Sequence, residues 1–325
     1  MKFAALACAC IALALAGATG RSPALAQAPY PAHTIKLIVP NAAGGLPDTV
    51  SRIVGRRLQE RLGQSVVVEN RPGANGRVAI AALLAAPADG YSLLVTDGSV
   101  ISINPLLYAN LTYDTADLQP IVMLARAPLF LAVHPQVPAA TLAEFIAHAR
   151  ARPGQLNYGS SGFGSTHHLT MEALGAALGL SMTHVAFKGT GESVPALLGG
   201  HIDVLFSAYP SLSGAAEAGK VRLLASNGAQ RSAQAPAVPA IAEVVPGFDF
   251  APVIGVFGRV GTPPAVVQKL VAESLAALGE PELVRQLAVV GVEAAGAGAG
   301  EFAATLEAEV KRVAGVVRSA GIKAK

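Results

Sequence analysis

From Ile35 onward, short runs of β-branched and apolar residues alternate with longer segments whose apolar side chains recur at helical spacing. The runs Ile35 to Pro40, Val66 to Glu69, Ser92 to Thr96, Phe130 to His134, Leu156 to Gly159, Thr183 to Phe187, Asp203 to Ser207, Val221 to Ala225 and Val253 to Gly258 read as strands. Between them, residues 46–62, 78–85, 142–151, 166–178 and 193–198 read as helices. Such alternation predicts an α/β fold of mixed, largely parallel sheets flanked by helices. Past Val260 the pattern changes. Pro263-Pro264 and Pro281 open Ala-rich helices, and Phe302, Leu306, Val310, Val313 and Val317 share one face of a final helix. This tail is expected to cover a domain without adding a strand, with Ala295 to Gly300 as a loop before the last helix.

Two segments look like crossings between domains. Around Ala125 to Pro128 the chain leaves a loop and enters the strand at Phe130, and the Pro-rich stretch Ala233 to Phe250 delivers it to Val253. A double crossing builds one lobe from residues 27–126 and 249–325 and the other from 127–248. The cleft between two such lobes is where a small ligand would sit.

Composition narrows the function. The chain has 325 residues, 52% hydrophobic and 14% charged, which is too apolar for disorder. Its formal charge is +3 and no basic run of five occurs, so nucleic acid is not an expected partner. The long uncharged apolar run, residues 3–18, is shorter than a membrane span, which excludes a polytopic membrane protein. Lys2, the apolar stretch Phe3 to Gly17 and Ala24-Leu25-Ala26 together read as a signal peptide cleaved after Ala26, implying a periplasmic protein. Cleavage would remove both Cys8 and Cys10, leaving no thiol for catalysis or metal binding, and would lower the formal charge to +1.

Two glycine-bearing turns stand out. Pro40 to Asp48 joins the first strand to the first helix, and in it Asn41, Ala42 and Ala43 precede Gly44 and Gly45. Glycines there would leave amide N–H groups unshielded beside the positive end of a helix, a setting that suits a carboxylate. An ordinary strand-to-helix turn reads the same way, and Asp48 reads as a helix-start carboxylate. Without Gly-Lys-Ser or Gly-Lys-Thr it is not a phosphate loop. Gly159 to Thr166 repeats the context with four hydroxyls, Ser160, Ser161, Ser165 and Thr166, and no formal charge. It suits a second oxygen-rich end of a ligand, or simply a capped helix start. Gly162-Phe163-Gly164 lacks the third glycine of a dinucleotide loop, and Ser161 is followed two residues on by Phe163 where a nucleophile elbow needs glycine.

Strand ends supply further candidates: Asp97 and Ser99, Phe187 with Lys188, and Ser207. Lys188 reads either as an anion partner or as a solvated surface charge. His167 and His168 are adjacent, with His184 not far along, but neighbours on a helix point about 100° apart and do not readily share a metal, and no His-Glu-x-x-His helix occurs. No metal, cofactor or catalytic residue is expected, although a periplasmic hydrolase or transferase on similar lobes remains the alternative to a binding protein.

The chain resembles the Bug-type solute-binding proteins of tripartite tricarboxylate transporters. The resemblance runs from Tyr30 to Lys325 and rests on YPAHTIKLIVPNAAGG, VVVENRPGANG, ADGYSLL, INPLLY, RPGQLNYGSSGFGSTHHL and AFKGTGESVPALLGG in that order. It implies a periplasmic, two-lobed receptor of the type II binding-protein fold that closes on a small organic acid and serves a membrane permease, or presents its ligand to a membrane sensor. It further implies that backbone amides and water hold the carboxylate at Pro40 to Gly45, with Ser160 to Thr166 serving the opposite lobe. Three residues depart from the family pattern: Asn41 stands for Phe, Phe187 for Tyr, and Ser207 for an acid. Loss of the acid favours a plain organic acid over an amino acid, unless Asp97 compensates. A monomer is expected.

Overall fold

The computed structural model describes residues 30–322; the expected signal peptide, with Cys8 and Cys10, lies outside them. Residues 30–32 belong to a separate N-terminal unit, and everything below concerns the compact unit that begins at His33. Its elements run β1 (Ile35–Val39), α1 (Leu46–Leu62), β2 (Val66–Asn70), α2 (Arg77–Ala85), β3 (Ser92–Asp97), β4 (Leu118–Arg126), β5 (Leu129–Val133), α3 (Leu142–Ala151), β6 (Asn157–Ser160), α4 (Thr166–Leu178) and β7 (Thr183–Ala186). Then follow α5 (Thr190–Leu198), β8 (Val204–Ala208), α6 (Tyr209–Glu217), β9 (Arg222–Ser226), β10 (Val253–Arg259), α7 (Pro264–Leu278), α8 (Pro281–Val289), β11 (Glu293–Gly298) and α9 (Ala299–Ser319). One-turn helices Ser99–Ser102 and Asn104–Leu107 follow β3.

The strands form two mixed sheets flanked by helices, in the orders β11-β4-β10-β3-β1-β2 and β7-β6-β8-β5-β9. Parallel pairing is confined to β2-β1-β3 and β7-β6-β8. The strand that arrives from the other sheet, β10 in one case and β5 in the other, inserts antiparallel between two neighbours. Antiparallel pairing is therefore as prominent as parallel, more than the alternation alone suggested, because a strand arriving from elsewhere is free of the βαβ crossover rule.

Three expectations need correction. Residues 118–126, expected as a loop before the first crossing, form strand β4. Its Pro120 broke up the apolar run in the sequence, and the ladder takes the proline at a register shift opposite Phe257. Ala295 to Gly300, expected as a loop, instead holds most of edge strand β11 and the first two residues of α9. The strand's glycines lie beside α7: a Cβ on Gly296 or Gly298 would meet Leu275 or Val271 at 3.8 and 3.6 Å, ordinary contact distances. Finally, α9 does not cover one domain. Phe302 and Leu306 join the core of the six-stranded sheet, whereas Val313, Val316 and Val317 join that of the five-stranded sheet.

The five-stranded sheet is buried on both faces. Leu131, Phe145, Tyr158 and Leu174 pack on one side and Phe130, Leu197, Leu205 and Leu212 on the other. A central sheet covered on both faces gives a rigid base from which the strand ends project.

Candidate functional site

The ends of β1, β3 and β8 and the loops that follow them open on one cleft of about 970 Å³. Both crossings between the sheets reach its wall, through Ala127 and Leu129 on one and Pro252 and Ile254 on the other. They are laced together: the Ala127 N–H donates to the Pro252 carbonyl at 2.8 Å, and Arg126 pairs with Asp249 at 2.6 Å. Asn227 accepts from the Leu129 N–H and donates to the Phe250 carbonyl, each at 2.8 Å.

Asn41, Gly44 and Gly45 line the cleft from the start of α1; Ala42 and Ala43 do not and are exposed. The reading of unshielded glycine amides is corrected. The Gly44 N–H donates to Asp48 Oδ2 at 2.9 Å, and the Gly45 N–H donates to the Ala42 carbonyl at 3.1 Å, because the loop must satisfy its own donors to keep its shape. Asp48 also accepts from Asn70 at 2.8 Å and pairs with Arg52 at 2.9 Å, while Asn70 donates to the Asn41 carbonyl at 3.0 Å. Burial alone would raise the Asp48 pKa, but hydrogen bonds from Arg52, Gly44 and Asn70 outweigh it and hold the carboxyl below its usual value. The positive pole left to the cleft is the start of α1 at Leu46, ahead of the first intrahelical bond from the Thr49 N–H to the Gly45 carbonyl at 2.9 Å, with Pro47 contributing no N–H.

Opposite, Ser161, Ser165 and Thr166 line the cleft from the start of α4, together with Gly162 and Gly164. Ser160 does not: it is 1% exposed, and its Oγ lies 2.7 Å from His184 Nε2 and accepts from the Gly162 N–H at 3.1 Å. Ser165 caps α4, accepting from the His168 N–H at 3.3 Å and donating to the Gly162 carbonyl at 2.7 Å. The hydroxyl set is thus largely spent on shaping the turn, and the groups left for a ligand are Thr166 and the first amides of α4.

Asp97, Ser99, Lys188 and Ser207 also line the cleft, whereas Phe187 lies behind the wall, packed on the core of the five-stranded sheet. Asp97 Oδ1 accepts from the Ser99 N–H at 3.0 Å and from its hydroxyl. The Ser207 hydroxyl is buried without a hydrogen-bond partner. Among the described residues lining the cleft, Asp97 and Lys188 carry the formal charges and there is no arginine.

Sequence reasoning missed a third loop. Gly73, Ala74, Asn75 and Gly76 all take positive φ, from 47° to 130°, and line the cleft, with the Asn75 carbonyl fixed by Asn104 at 2.8 Å. The signal was present as the Gly/Asn density of NRPGANG, which carries no charge to advertise a site. His167 was missed as a lining residue. Its Nδ1 lies 2.8 Å from Ser161 Oγ, and burial lowers its pKa to about 4. Among the described residues no carboxylate lies within ion-pair distance of His167, so this pair lacks the third group that orients a catalytic histidine. Nor do they contain a cluster of three or more His, Cys, Asp or Glu side chains suited to a metal.

Comparison with known proteins gives a consistent set. A family model described as "Tripartite tricarboxylate transporter family receptor" matches residues 50–322. Protein BugT of Bordetella pertussis is 34% identical over 299 residues, covering 91% of this chain and 92% of that protein. Among solved structures, R. palustris Rpa4515 with adipate superposes with a TM-score of 0.79 at 34% identity, covering 91% of this chain and all of that one. MatC from Rhodopseudomonas palustris with bound malate gives 0.71 at 29% identity, covering 89% and 100%.

Proposed function

The chain belongs to the tripartite tricarboxylate transporter receptor family, and on that premise we propose that it captures a linear dicarboxylate and passes it to a membrane permease. The family consists of solute-binding receptors for small organic carboxylates, not of enzymes. The observation that carries the finer reading is the pair of helix starts, α1 from one sheet and α4 from the other, on the wall of one cleft without arginine. Each end of a dicarboxylate would meet first-turn amides and the positive pole of a helix. The adipate and malate of the two solved relatives support this length and chemistry.

In this reading the protein works as a monomer in the periplasm, after cleavage near Ala26. The lobes 27–126 with 249–325 and 127–248 close on the ligand about the laced crossings. Asp97 is engaged by Ser99, and Ser207 offers a hydroxyl where an ammonium group would need an acid, so a plain acid is preferred to an amino acid. A thermal-shift screen of succinate, malate, adipate, citrate, aspartate and glutamate on the mature chain tests this. A dicarboxylate lacking an amino group is expected to raise the melting temperature and to be recovered unchanged. Stabilisation by aspartate or glutamate alone would overturn the plain-acid assignment.

A further inference from the structure

Beneath the Ser160–Thr166 loop lies a stack of rings that none of the ligand chemistry above requires. Tyr158 from β6, His184 from β7 and His168 from α4 lie nearly parallel: the His168 and His184 centroids are 4.0 Å apart at 10°, and those of His184 and Tyr158 are 4.8 Å apart at 17°. Phe163, from the loop itself, covers His168 at 5.1 Å. His168 is 3% exposed.

One hydrogen bond fixes how His168 is protonated. Gly164 N–H donates to His168 Nδ1 at 3.0 Å, so that nitrogen carries no proton and the neutral ring is protonated at Nε2. Nε2 faces Glu172 Oε1 at 3.8 Å, and the same oxygen accepts from the Tyr158 hydroxyl. His184 in turn meets Ser160 Oγ, which binds the Gly162 N–H. Thus each of the two glycine amides that shape the loop is held through an imidazole, directly at Gly164 and by way of Ser160 at Gly162.

We propose that His168 is a positioning residue for the ligand loop, acting as a neutral acceptor for the Gly164 N–H, with His184 as its partner through Ser160, so that the loop is ordered only while His168 is uncharged. A protonated His168 would turn an N–H toward the N–H of Gly164, and two donors cannot share that contact. Gly164 itself takes φ +74° and packs against the Leu107 side chain, where a Cβ would lie 2.4 Å from a methyl, so the turn that presents this N–H is built for glycine. The ionisable groups facing His168 are Tyr158, His184 and Glu172. Burial first, and then the neighbouring His184, lower the His168 pKa to about 4. Burial likewise lowers His184, against the pull of Glu172, and raises Tyr158.

The inference rests on the receptor reading for its meaning but is tested without ligand. In the full mature chain labelled with ¹⁵N, imidazole resonances report the tautomer, and amide exchange reports the order of Gly164. At pH 7 the expected result is His168 protonated at Nε2 alone, with a protected Gly164 amide whose protection falls at least tenfold as the ring titrates in acid. His168→Asn, whose side-chain oxygen can accept in place of Nδ1, is expected to keep the pH 7 protection and lose the acid transition. His168→Leu is expected to lose the protection while unfolding cooperatively. A proton on Nδ1, or Gly164 exchange indifferent to the charge on the ring, overturns the proposal, and the wild-type titration decides the matter even if His168→Leu does not fold. Carboxylate binding with an indifferent loop would sink this inference alone, whereas an ordered loop in a protein that binds no carboxylate would sink the receptor reading.

Discussion

Asp48 is 2% exposed and holds three partners at once, Gly44, Asn70 and Arg52, which makes it the keystone of the loop before α1. Asp48→Ala would take the acceptor from the Gly44 N–H and remove one of the two hydrogen bonds of the Asn70 amide, which keeps the Asn41 carbonyl, at a cost of about 1–2 kcal/mol. Urea titration is expected to show that loss, and calorimetry at least a tenfold weaker carboxylate. The pKa is lowered in the native state, so the contribution of this carboxyl is full above its ordinary value of 3.8 and vanishes as pH falls through the lower, folded value. The role of Asp48 as a helix-start carboxylate was legible in its position after Pro47. The inward turn of Ser160 was not, because sequence spacing says that a hydroxyl stands at a strand end but not which partner claims it. Phe187 was misplaced for a related reason: a strand end places its neighbours on opposite sides, and the side taken is set by the packing of β7 against the helices.

At the level of elements, the alternation of strands and helices was readable because buried parallel strands are nearly pure β-branched and apolar runs. β4 and β11 were hidden for physical reasons, Pro120 in one and an Ala/Gly run in the other, since neither looks like a strand until its neighbour is known. Helix α9 shows how an element can belong to both cores, and Glu309 sits at the point of division. Its Oε1 accepts from Ser102 Oγ at 2.6 Å, and the carboxylate lies so close to Gly98 that a Cβ there would stand 2.6 Å from Oε2. Burial, with Asp97 nearby, raises its pKa to about 7 against the pull of Ser102, Arg312 and Arg126. The native state therefore keeps a proton that the unfolded chain releases from about pH 4.5 upward, and stability declines as pH rises from there to about 7. Glu309→Gln is expected to raise stability at pH 8 by on the order of 1–2 kcal/mol and to change little at pH 4.5. Equal melting temperatures of wild type and variant at pH 8 would contradict that assignment.

For the whole molecule, the arrangement of sheets follows from two crossings, and the crossings are what bring α1 and α4 to one cleft. Residues far apart in the chain, Asn41 near its start and Ser161 in its middle, become opposite walls because β5 and β10 each insert into a sheet begun elsewhere. The account holds that peptide dipoles and hydroxyls bind the charge of a small acid without arginine and without changing it. Its most direct test is calorimetry of the mature chain with adipate and with the neutral diamide of the same length, each recovered afterwards for analysis. The account predicts saturable binding of the acid, no detectable binding of the diamide, and unaltered adipate; binding of both alike, or recovery of a converted product, would contradict it.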